Sequence, residues 1–185
     1  MYSLILKKIN TVVANTILVL SFAFLMILSS QVKIPLFFTP VPITFQTFIL
    51  FLSLSVLKKK AFLSYGVYLM LGIGGLPVFA NGGSGVLYLF GPTGGYLAGF
   101  FLSAFIFGYL IDKKENFKRK SMIYYWKTFF MTNLLIYFCG IGWLIVSYGF
   151  SFNNAFSIGI IPFIIPDVIK IILAGFLSCK LIRKC

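Results

Sequence analysis

The sequence predicts an all-α integral membrane protein, a compact bundle of six transmembrane helices with both termini in the cytoplasm. Three observations carry that expectation. Of the 185 residues, 60% are apolar or aromatic and only 10% charged; the mean hydropathy is +1.02; and the apolar residues form long continuous runs separated by short clusters of Lys and Arg. A soluble domain is about half apolar and about a quarter charged. A hydrocarbon core about 30 Å thick takes roughly 20 helical residues per crossing, so six crossings use about 120 residues and leave about 65 for loops. The chain 1–185 is thus a single membrane domain with no aqueous one.

The runs lie at about 11–31, 43–57, 61–76, 93–111, 122–147 and 161–179. Their continuous character argues for helices over the alternating strands of an outer-membrane barrel. The first follows Lys7 and Lys8 and ends in Ser29 and Ser30, a pattern shared with signal peptides, but five further runs make it a retained first helix. The second and third are short, and the fifth exceeds one perpendicular crossing, so tilt or partial loop structure is expected there. The fourth opens at Pro92, a residue suited to the first helical position. Gly91, Gly95, Gly99 and Ser103 then recur every fourth residue and give it a small-residue packing stripe. The sixth contains Asp167 and Lys170.

Sixteen Lys and Arg face three acids, Asp112, Glu115 and Asp167, for a formal charge of +13. Nucleic acid is not the reason, because no continuous basic face follows a phosphate backbone. With six crossings, one side collects Lys7 and Lys8, Lys58 to Lys60, the segment from Asp112 to Lys120, and Lys180, Arg183 and Lys184. The positive-inside rule makes that side cytoplasmic. Lys127, beside Trp126, can snorkel to the same surface. Only Lys33 and Lys170 stand outside the pattern.

Several chemistries are absent. The chain has no histidine, the usual base near neutral pH and the commonest metal ligand. Its three acids make no carboxylate dyad, and Cys139, Cys179 and Cys185 show neither metal spacing nor pairing logic and read as packing residues. No Gly-Lys-Ser/Thr follows any glycine cluster and no strand precedes one, so neither a phosphate-binding loop nor a dinucleotide fingerprint is present. A membrane enzyme therefore ranks last among the functions considered.

The polar and turn-forming residues concentrate in the outer connections, about 32–42, 77–92 and 148–160. In the first, Pro35, Pro40 and Pro42 stiffen the backbone, consistent with an aromatic lid or with a plain turn. Thr44, Gln46 and Thr47 follow about one turn below the outer surface, where Gln46 needs a hydrogen-bond partner, either another helix or a ligand. The second connection is rich in glycine around Asn81, as a rigid binding loop or a flexible linker would be. Asp167 and Lys170 are three residues apart and share a helix face. They form either a self-neutralising internal pair or a site for a ligand with an anionic and a hydrogen-bonding end. An autonomous channel or ion-coupled small-solute carrier would use the same pair.

The string from Pro40 to Phe48, the segment Gly74 to Ala80, the block Gly91 to Phe100 and the stretch Pro166 to Lys170 together resemble the BioY family, the biotin-binding S components of energy-coupling-factor vitamin transporters. The resemblance spans most of the chain in the family's order. It implies a non-enzymatic transport subunit of the bacterial cell membrane that captures biotin at the outer face beneath a lid. It further implies assembly with a transmembrane coupling subunit and two cytoplasmic ATPases, and no cofactor beyond the biotin it carries. An S component for a different vitamin is the alternative within the same architecture. Asp167 and Lys170 match the family's binding pair, and Asn81, Tyr96 and Gln46 are polar contacts carried over with them. The resemblance suggests Lys170 for the valerate carboxylate and Asn81 with Asp167 for the ureido group. One departure stands out: S components usually carry an Ala-x-x-x-Ala docking motif in the first helix, and here Ala23 is followed four residues on by Ile27.

Overall fold

The structure is a computed structural model that describes residues 2–113 and 121–182, the side chains of 2–9 excepted. Helix α1 (Tyr2–Gln31) leads into a two-stranded hairpin, β1 (Lys33–Ile34) and β2 (Ile43–Thr44). Then come α2 (Gln46–Leu57), a 3₁₀ turn at Lys58–Lys60, α3 (Ala61–Ile73), a second 3₁₀ turn at Ala80–Gly82, and the single turn α4 (Val86–Leu89). The chain continues through α5 (Gly94–Lys113), α6 (Met122–Tyr148), α7 (Phe152–Gly159) and α8 (Ile161–Ile182). Local chemistry sets several ends. Ser121 and Ser151 cap α6 and α7 by accepting from the backbone N–H groups of Tyr124 and Asn154, and Gly149 closes α6 in the left-handed conformation.

Each of the six expected runs contains a helix, and among the described residues four helices are long and apolar enough to cross a membrane: Asn10–Gln31 within α1, then α5, α6 and α8. The second and third runs give helices of 12 and 13 residues, about 18 to 20 Å of rise against a core of about 30 Å. The shortening has two causes. Residues 43–44 of the second run pair as β2 with β1, Lys33 opposite Thr44 and Ile34 opposite Ile43. Helix α2 is moreover buried on nearly every face, so its apolar character reflects protein neighbours and not lipid. Ser53 and Ser55 in its interior donate to the carbonyls of Leu50 and Leu52, and Ser178 of α8 donates to Ser55 at 2.9 Å.

The glycine stripe of α5 packs on α6. A Cβ at Gly95 would lie 2.2 Å from Trp143 Cβ and 2.6 Å from the Cys139 carbonyl oxygen, and one at Gly99 would lie 3.0 Å from Ile136 Cα. Backbone contact this close excludes any side chain. At one end of the bundle the Lys59 ammonium pairs with Asp112 at 3.0 Å, and Gly108 lies against the Lys58 carbonyl. At the other end, Ser30 and Gln31 donate to the carbonyls of Val78 and Phe79, tying α1 to the second connection. The side chains of Lys7 and Lys8, the segment 114–120 and residues 183–185 lie outside the described residues. Cys139 is a free thiol, whereas Cys179 is disulfide-bonded, which corrects its reading as an unpaired packing residue. Ala23 is buried within the bundle and Ile27 partly so.

Replacing Gly95 with Leu is expected to destabilise the detergent-solubilised protein by about 1–3 kcal/mol, read as a lower thermal unfolding midpoint. Gly142→Ala, whose added Cβ meets nothing within 4 Å, is expected to leave the midpoint unchanged or raise it.

Candidate substrate-binding site

A cavity of about 560 Å³, counted out to its open mouth, lies between α2, α5, α6 and α8 and under the hairpin and the second connection. Its middle is apolar, formed by Val41, Leu97, Phe100, Ile136 and Phe163. Its polar groups sit at two poles.

The first pole is charged. Lys170 donates to Asp167 Oδ1 at 2.7 Å and to the Thr44 carbonyl at 2.8 Å. Asp167 Oδ1 also accepts from the Thr47 hydroxyl at 3.3 Å, and Oδ2 accepts from the Tyr137 hydroxyl at 2.7 Å. Asp167 is 3% exposed and Lys170 7%, so each charge depends on these partners for what water would otherwise supply. Pro166, inside α8, lacks the N–H that would otherwise bond the carbonyl four residues earlier. An ammonium has three donors and each carboxylate oxygen has two acceptor positions. Counting the bonds above leaves one Lys170 N–H and one position on Asp167 Oδ2 unused, a donor and an acceptor within one ion pair.

The second pole is neutral. Tyr88 of α4 and Thr93 line the cavity with Ala80. Burial pushes the Tyr88 phenol up while a hydrogen bond with Thr93 pulls it down, and the net shift is upward. It therefore stays a neutral hydroxyl, donating to the Ala80 carbonyl at 3.0 Å. A Cβ at Gly83 would fall 2.1 Å from the Tyr88 ring, so the ring needs a glycine there.

Four of the five expected residues, Gln46, Tyr96, Asp167 and Lys170, line this cavity, and Asn81 does not. Gln46 donates to the Tyr68 hydroxyl at 2.8 Å and accepts from Thr44, so its amide also serves as an interhelical bond. Tyr96 presents its ring to the cavity while its hydroxyl donates to the Gly159 carbonyl at 2.8 Å. Asn81 is exposed with φ of 63°, and its side-chain oxygen accepts from the Lys33 ammonium. Asp167 and Lys170 lie together, hydrogen-bonded to one another, while Asn81 is outside the cavity lining. Tyr137, Tyr88 and Thr93 were not anticipated.

Lipid-length apolar helices around a largely apolar cavity with one buried ion pair define a membrane-embedded solute-binding protein. The chain belongs to the BioY family, whose sequence model matches residues 5–185. It is 40% identical over 161 residues to the biotin transporter BioY of Thermotoga maritima, covering 86% of this chain and 90% of that one. To a probable biotin transporter BioY of Pyrococcus horikoshii it is 38% identical over 143 residues, covering 77% and 81%. The fold matches the crystal structure of the S-component for biotin from an ECF-type ABC transporter, with a TM-score of 0.87 and 24% identity over 95% of this chain and 94% of that one.

Removing one member of the buried pair strands the other charge. Lys170→Met is expected to cost about 3–5 kcal/mol of stability. The double variant Asp167→Leu, Lys170→Met is expected to cost clearly less than the two single changes added together, a non-additivity read from a double-mutant cycle of unfolding free energies.

Proposed function

We propose that the chain binds biotin at the extracytoplasmic end of the bundle and delivers it inward as the substrate-specific subunit of an energy-coupling-factor transporter. The observation that carries this reading is the pair of unused valences at Asp167 and Lys170. A cyclic urea presents an N–H donor beside a C=O acceptor along one edge, the complement of that pair. A carboxylate in the same place would meet Asp167 as a like charge. Biotin therefore enters ring first, its ureido edge on Asp167 and Lys170, its apolar body against Leu97, Phe100, Ile136 and Phe163, and its carboxylate toward the mouth. Membership of a family whose relatives are named biotin transporters supports the choice of ligand.

In the same reading α2 and α3 complete six passages, with the Lys58–Lys60 turn and both termini in the cytoplasm of a bacterial cell. The Lys59–Asp112 pair supports a shared side for those two clusters. The hairpin β1–β2 is the lid, held to the site by the Lys170–Thr44 bond. The coupling subunit and two ATPases supply the energy, in keeping with a sequence that has no nucleotide-binding motif.

Equilibrium binding to the purified chain tests the proposal. Biotin is expected to bind and to resist competition by riboflavin and thiamine. An analogue in which methylene groups replace the ureido N–H and C=O groups leaves Asp167 and Lys170 unmatched and is expected to bind at least about a hundredfold more weakly. Displacement by another vitamin at equal strength would overturn the choice of ligand, and full affinity for the analogue would overturn the ring-first orientation.

A further inference from the structure

Lys33 is unexplained by the charge map and by the site as described. It is the one cation other than Lys170 in the outer connections and their adjoining helix ends, and its ammonium bonds the neutral amide of Asn81. Among the described residues it makes no ion pair.

Its position is defined from two directions. Lys33 pairs directly with Thr44 across the hairpin, and residues opposite one another in an antiparallel pair project from the same face. Thr44 lines the cavity, so Lys33 projects from the cavity-facing side of the lid. From the other direction, the ammonium reaches Asn81, whose neighbour Ala80 forms part of the cavity wall beside Tyr88 and Thr93. Lys33 is not itself a lining residue of the cavity; its half-buried side chain lies at the rim, with its ammonium on Asn81 next to Ala80. An ammonium has three donors, and the bond to Asn81 leaves others available.

We infer that Lys33 is the residue that receives the anionic end of the ligand, closing an ion pair between the lid and the bound carboxylate. The inference rests on the ring-first reading above, which sends the carboxylate to this rim. It makes Lys33 a determinant of specificity: the charged pole selects the ureido ring, and the lid cation selects an acid over a neutral-tailed derivative. Because Lys33 sits on the lid, a carboxylate at the rim also favours the lid position in which the pair can form.

Binding of biotin and of biotin methyl ester to the full-length purified chain separates these contributions. The wild type is expected to prefer biotin by about fivefold, the upper end for a partly exposed ion pair, with the preference shrinking at high salt. Lys33→Met is expected to abolish the preference by weakening biotin alone. Its unchanged affinity for the ester would report an intact fold and cavity. Lys33→Arg is expected to retain the preference and Lys33→Glu to reverse it. Equal affinity of the wild type for acid and ester, or a preference that survives in Lys33→Met, would overturn the inference while leaving biotin binding standing. A wild-type chain that binds neither compound would instead refute the reading on which it rests.

Discussion

The rest of the structure is arranged around a carboxylate and an ammonium held 2.7 Å apart in an interior with little water. Such a pair is costly to desolvate, and its mutual attraction offsets that cost only where further hydrogen bonds complete both ions. The partners come from distant parts of the chain: Thr44 from the hairpin, Thr47 from α2 and Tyr137 from α6. Completing one ion pair therefore fixes α2, α6 and α8 and the hairpin in a single relative arrangement. Those bonds leave the pair one donor and one acceptor short, on two residues that line the cavity.

The buried pair was legible in the sequence because ionisable residues are rare enough in apolar helices to stand out, and Asp167 is the sole acid outside the 112–115 loop. Tyr137 was not, since an aromatic residue in an apolar run has the same composition signature whether its hydroxyl is free or bonded to a carboxylate. The second and third runs were visibly short, but the enclosure of α2 by protein escaped for a related reason. Hydropathy reports that a residue avoids water and not whether lipid or protein surrounds it, so α2, buried on nearly all sides, reads like a lipid-facing crossing. Asn81 was expected from the resemblance alone, and on a loop residue of positive φ its side chain bonds Lys33 and does not line the cavity.

The glycines resolve into two different uses. Along α5, Gly95 and Gly99 bring two helices to backbone contact and set the far wall of the cavity, including Ile136. In the second connection, Gly82 and Gly85 take positive φ and Gly83 makes room for Tyr88, which stacks on Phe79 at 4.9 Å. A loop so constrained, and tied to α1 through Ser30 and Gln31, is a rigid wall. The flexible-linker reading of the same glycines loses its basis.

Charge in this molecule does two unrelated things, and the structure separates them by position. The lysines at the Lys59–Asp112 end are exposed or half-buried, and their number carries the information, as topology requires. Among the described residues the opposite end holds Lys33 and Lys170, and there placement carries the information: Lys170 is spent mostly on Asp167 and Thr44, whereas Lys33 is held by a single neutral amide. A cation that topology does not call for, on the face of a hairpin shared with a cavity residue, has lost part of its hydration without gaining an opposite charge. Such a group gains more from an incoming anion than a fully solvated lysine would, and this makes the lid side of the cavity selective without adding a second buried charge to the fold.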